Sequence, residues 1–158
     1  MSLLEIHPFT LNLPAERCRT SIRRHGPSSR PKTPMNTTQI AVVGTGFIGP
    51  VHVEALRRLG LTVRGILGSS EQKSKGAAQQ LSIPIAYPDF ESVIADTQAA
   101  AVHLASPNHL HKEQALACIR AGKHVVCEKP LALTASEARE MAEAAAGRPD
   151  LVCAVNYN

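Results

Sequence analysis

From Gln39 onward, short apolar runs alternate with stretches whose apolar residues recur every three to four positions. The first kind reads as strands buried on both faces, the second as amphipathic helices. The pattern predicts strands at 40–43, 61–67, 83–87, 99–105, 124–127 and 151–155. Helices are expected over 47–59, 71–81, 89–96 and 110–121, and from Thr134 on. Ile48, Val51, Ala55, Leu56 and Leu59 would give the first helix its apolar face; Ala138, Met141, Ala142 and Ala145 would give the last helix its own. Thr134 and Glu137 have the spacing of a capping box, with Leu133 and Ala138 able to form a hydrophobic staple. Pro84 marks the third strand as an edge or a strand start.

Strict alternation of strands and helices implies parallel strands joined by right-handed crossovers. Six such strands predict an α/β, doubly wound parallel sheet, the Rossmann dinucleotide-binding fold. Residues 35–158 would form this domain. Residues 1–34 show neither period and are rich in Pro, Arg and Ser, which reads as a disordered leader. A mitochondrial transit peptide is an alternative that Glu5, Glu16 and the prolines weaken, and a natural start at Met35 is another.

Composition narrows the picture further. Of 158 residues, 44% are hydrophobic and 3% aromatic, with no Trp, so Val, Ile, Leu and Ala must build the core. The net charge of +4 would suggest nucleic acid, but it resides in the leader, which carries six basic and two acidic residues. The remaining 124 residues are balanced, which argues against nucleic-acid binding by the domain. Cys18, Cys118, Cys127 and Cys153 have no zinc spacing and read as reduced, core-filling residues of a reducing, cytoplasmic setting. No metal site is expected, and no apolar run is long enough to span a membrane.

The candidate chemistry starts at Gly44-Thr45-Gly46-Phe47-Ile48-Gly49, a G-x-G-x-x-G run placed where the first strand meets the first helix. There Gly44 permits the tight turn, Gly46 leaves room for a pyrophosphate, and Gly49 allows close packing of helix on strand. The helix N-terminus, including Phe47 and Ile48, offers free N–H groups to the anion. At the end of the second strand, Ser69 and Ser70 stand where an NAD site often carries an acid. Lys73 or Arg64 could add positive charge there. This leans towards NADP, although an open pocket accepting either NADP or NAD fits the same residues. His103 reads as a satisfied core histidine, His109 and His111 as a pair at a helix start, and His124 as structural.

Ala121-Gly122-Lys123-His124-Val125-Val126-Cys127-Glu128-Lys129-Pro130 resembles the A-G-K-H-V-x-x-E-K-P signature of the Gfo/Idh/MocA oxidoreductases. Ser106-Pro107-Asn108-His109-Leu110-His111 is similar to the family's T-P-N-x-x-H segment, with Ser106 where Thr is usual, and His52 follows the glycines at the family spacing. The resemblance covers 39–158. It implies cofactor contacts from Ser106, Pro107, Asn108, His111, Glu128 and Lys129, with Lys129 also the catalytic proton-relay residue beside the nicotinamide. Pro130 could be a cis proline shaping that turn.

The family resemblance also implies a second α/β domain after the sixth strand, and no residues of that domain stand in this chain. The expectation is a nucleotide-binding domain of an oxidoreductase acting on sugar- or polyol-like CH–OH groups, inactive alone. The alternative is a stand-alone dinucleotide-binding module or sensor. A separately encoded C-terminal domain or self-association are the partners this reading allows.

Overall fold

The computed structural model describes residues 38–157. Six parallel strands form one sheet in the order β3-β2-β1-β4-β5-β6. In chain order the elements are β1 (Gln39–Val43), α1 (Ile48–Arg58), β2 (Thr62–Leu67), α2 (Glu71–Gln80), β3 (Ile85–Tyr87) and α3 (Phe90–Ala95). They continue with β4 (Ala99–Leu104), α4 (His111–Arg120), β5 (His124–Glu128), α5 (Ala135–Ala146) and β6 (Cys153–Asn156). The strand order reverses between β1 and β4, so a crevice opens at their carboxyl ends, where doubly wound sheets bind ligands. The expectation for the leader lies outside the described residues.

The sheet sorts its side chains by parity. Ile40 and Val42 of β1 face one core with Val53, Leu56 and Ile66. Ala41 and Val43 face the opposite core with Val102, Leu104, Leu116 and Cys127. Ile66, Leu104 and Val42 are fully buried, and burial of each such side chain contributes roughly 1.5–3 kcal/mol.

Two helix faces differ from expectation. In α1 the buried residues are Gly49, His52, Val53 and Leu56, whereas Val51 and Leu59 are exposed, as is Ala55. Gly49 must be the contact because only a residue without Cβ fits there, and that choice rotates the helix away from the face that hydropathy selects. In α5 Met141 is buried but Ala142 is exposed. The capping box of Thr134 and Glu137 forms; Leu133 stays exposed, and its N–H donates to Glu137.

Two strands start two residues later than predicted. Ile83 closes α2, its N–H donating to Ala78 O at 2.8 Å, and Pro84 has no N–H to give, so edge strand β3 starts at Ile85. Leu151 N–H is used in a turn to Arg148 O, so β6 starts at Cys153. At the other edge Cys153 is exposed, unlike the buried Cys118 and Cys127, because β6 has no outer neighbour among the described residues.

Candidate functional site

Gly44 ends β1 at φ +118°, a conformation that favours glycine. A Cβ there would stand 2.2 Å from Ala105 O, and one on Gly49 would stand 2.0 Å from Gly44 O. These two glycines therefore set how closely the loop, α1 and the end of β4 approach. Gly46 differs: a Cβ on it would meet nothing within 4 Å. Its missing side chain leaves space in the cleft rather than relieving a clash with the protein.

The cleft has a volume of about 900 Å³ and lies at the carboxyl ends of β1, β2 and β4. Gly44, Gly46, Phe47 and Ile48 form one wall, Ser69 stands at the end of β2, and Ser106 and Pro107 stand at the end of β4. Thr45, Lys73, Gln80, His109, Leu110 and Gln114 also line it. No aspartate or glutamate does; Lys73 and His109 are its titratable side chains. With the N-terminal N–H groups of α1, this makes a cleft suited to an anion.

The other sequence-selected residues sit beside the cleft. Gly49 lies beneath the loop. Ser70 caps α2, its hydroxyl accepting from Lys73 N–H. Asn108 opens the short 3₁₀ turn Asn108–Leu110 and is exposed. His111 is buried and braces two loops: Nδ1 lies 2.9 Å from Pro130 O and Nε2 lies 2.9 Å from Ser106 O. Arg64 does not reach the cleft. It pairs with Asp96 and donates to Gln39 Oε1, because its position in β2 aims it at the amino end of the sheet.

Glu128 and Lys129 end β5. The Glu128 carboxylate is buried and fully engaged. Oε1 accepts from His52 Nε2 at 2.9 Å and from Asn156 Nδ2 at 2.5 Å, and Oε2 accepts from Lys129 N–H at 3.2 Å. Burial alone would raise this carboxyl's pKa, but the bonds from Asn156, His52 and Lys129 N–H hold it below its ordinary value. With Nε2 of His52 donating to the carboxylate, Nδ1 is left to accept from His103 Nδ1 at 2.8 Å. Burial, helped by His52, pushes His103 down to about 4, so it is neutral at pH 7.

His103 is thus satisfied within its network, and His124 has a backbone partner, accepting from Val152 N–H at 3.0 Å. Lys129 is exposed, and the Lys129–Pro130 peptide is cis. Lys123, in the same sequence motif, serves the opposite end of the sheet, where its ammonium donates to Asp96 O and Ala99 O, both at 2.8 Å.

Sequence reasoning missed Gln114 and Asn156. Gln114 lies three residues after His111, on a helix that also carries the brace, but helical spacing alone does not say which polar residue turns to a cleft. Asn156 reaches Glu128 only because β6 pairs in register with β5, Glu128 opposite Asn156.

A glycine turn at the switch point of a parallel sheet, an acid-free cleft and a free helix N-terminus define an NAD(P)-binding Rossmann domain. The chain belongs to the Gfo/Idh/MocA family: residues 38–157 match the family described as an oxidoreductase family with an NAD-binding Rossmann fold.

Among curated relatives, it is 41% identical over 93 residues to 1,5-anhydro-D-fructose reductase of Ensifer adhaerens, covering 59% of this chain and 28% of that protein. It is 38% identical over 117 residues to inositol 2-dehydrogenase 2 of Saccharopolyspora erythraea, covering 72% and 34%. An NAD binding oxidoreductase from Klebsiella pneumoniae superposes with a TM-score of 0.70 at 36% identity, covering 76% of this chain and 34% of that one. The chain spans about a third of the length of these relatives. Among the described residues no helix is long and apolar enough to cross a membrane, and no cluster of side chains could hold a metal ion.

Proposed function

We propose that this chain is the cofactor-binding domain of an oxidoreductase that prefers NADP(H) and acts on CH–OH groups of sugar- or polyol-like substrates. The observation that carries the cofactor preference is the acid-free cleft with Ser69 just beyond β2 and Lys73 in the first turn of α2. A ribose 2′-phosphate is repelled by an acid at that place and attracted by a lysine. The substrate class rests on the relatives, one named a 1,5-anhydro-D-fructose reductase and another an inositol 2-dehydrogenase.

In this reading the glycine loop would hold the dinucleotide's pyrophosphate, and the nicotinamide would supply hydride exchange on the side of the site where Lys129 stands. The Lys129 amine, in its neutral form, would accept the proton of the substrate hydroxyl. Glu128 orients Lys129 through its backbone N–H. Turnover further requires a second domain to hold substrate and exclude water, whether on a longer chain, on a separate polypeptide or on a second copy. The buried free Cys118 and Cys127 fit a reducing, cytoplasmic setting.

Calorimetric titration of the 158-residue chain with NADPH and NADH tests the cofactor reading. Tighter binding of NADPH is the expected result. Equal or tighter binding of NADH refutes the preference, and no heat with either cofactor refutes the binding function.

A further inference from the structure

One polar pair in the cleft joins Ser106, the first residue of the Ser106–His111 segment, to Gln114, which lies outside the motifs that carry the family resemblance. Ser106, just beyond β4, places its Oγ 2.5 Å from Oε1 of Gln114 on α4, and both residues line the cleft. A hydroxyl has one proton, and here it is given to the amide oxygen. In this arrangement Oε1 is turned to Ser106 and Nε2 away from it. Nε2 has no hydrogen-bond partner among the described residues, yet no buried side-chain nitrogen or oxygen there lacks one. The two N–H groups of Gln114 are therefore solvent-accessible, on a residue that lines the cleft.

The cleft runs from the end of β2 across the glycine loop to the end of β4, and neither Lys129 nor Pro130 lines it. On the cofactor reading proposed above, this part of the site holds the adenosine and diphosphate half of the dinucleotide, not the nicotinamide. We infer that Gln114, held by Ser106, is a cofactor-binding residue whose amide N–H groups donate to an acceptor on the adenosine diphosphate half. Ser106 is then a positioning residue: it keeps the acceptor end of the amide out of the cleft. A small hydroxylated residue suits this role because it reaches Oε1 without occupying the cleft itself.

The test uses calorimetry on the full chain with NADPH, NADH and ADP, with pyrophosphate and adenosine as separate arms to distinguish phosphate from base. Gln114→Leu and the volume-matched Gln114→Met should weaken NADPH, NADH and ADP alike by about fivefold, the worth of one donated hydrogen bond. Gln114→Glu should weaken them more, since the same serine would hold a carboxylate facing the cofactor. Ser106→Ala should weaken binding in the parent chain but add nothing in the Gln114→Leu background, because it acts through the amide.

Unchanged ADP affinity in both Gln114→Leu and Gln114→Met, with the parent chain binding, overturns the inference and leaves the cofactor reading intact. An additive effect of Ser106→Ala overturns the positioning role. If the parent chain binds none of the ligands, the cofactor reading itself fails and this inference with it. Thermal melts of each variant confirm that affinity is compared between folded proteins.

Discussion

Glu128 and His52 meet at 2.9 Å where α1 crosses the end of β5, each no more than 7% exposed. The pair joins the helix of the glycine loop to the strand that delivers Lys129. Replacing Glu128 with Ala strands His52, Asn156 and Lys129 N–H without their acceptor. Leaving buried donors without their acceptor in this way costs about 2 kcal/mol. Urea denaturation of Glu128→Ala should show that loss, whereas Glu128→Gln, which keeps one acceptor oxygen, should lose less. Equal stability of Glu128→Ala and the parent would show that the network contributes nothing.

The same network makes stability depend on pH. His103 titrates near 4 in the fold, against about 6.5 for an unperturbed histidine. Its folded pKa is depressed, so the unfolded chain takes up a proton first as pH falls. The stability due to a neutral His103 is complete above about 6.5 and drains away between there and about 4. At 1.36 kcal/mol per pKa unit the loss is on the order of 3 kcal/mol. Glu128, held below its ordinary value, adds a further loss at still lower pH. Denaturation midpoints from pH 7.5 to 4 should fall for the parent and fall less for His103→Leu. Parallel curves for the two proteins would exclude His103 as the source.

The fingerprint glycines should separate folding from binding. Gly49→Ala places a methyl 2.0 Å from Gly44 O and should destabilise the domain by more than about 2 kcal/mol. Gly46→Val meets no protein atom within 4 Å of its Cβ, so its melting temperature should stay near the parent's. Its side chain occupies the space left for the pyrophosphate, and cofactor binding should be lost. Retained binding in Gly46→Val would mean that the dinucleotide does not pass over the loop.

Lys73 should distinguish the two cofactors. Lys73→Ala is expected to weaken NADPH about tenfold, the worth of a charge-assisted contact, and to leave NADH nearly unchanged. This contrasts with Gln114, whose loss should affect both. A uniform loss for both cofactors in Lys73→Ala would place the lysine on a phosphate shared by the two.

Much of the molecule was legible from local pattern. The apolar runs of β1, β2, β4 and β5 are strands with both faces covered, a condition that hydropathy records directly. The cap at Thr134 and the turn at Gly44 are local chemistry and were readable for that reason. The face of α1 was legible only in part, because Gly49 is chosen by its close approach to the loop; in α5 Met141 is buried as its spacing predicts, and only Ala142 is exposed. Arg64 lies close to Lys73 in sequence, but the strand carries Arg64 to the other end of the sheet.

The sequence by itself determined the alternation of elements, the glycine loop between a strand and a helix, and the Glu128-Lys129-Pro130 run after a strand. Each depends on residues close together in the chain. Tertiary structure alone decided that Asn156, His52 and His103 converge on Glu128, that His111 ties the Ser106 carbonyl to that of Pro130, and that Gln114 turns its amide oxygen to Ser106. These hydrogen bonds join residues 5 to 76 positions apart, and the long-range ones depend on strand order and register, which arise only when all six strands pair.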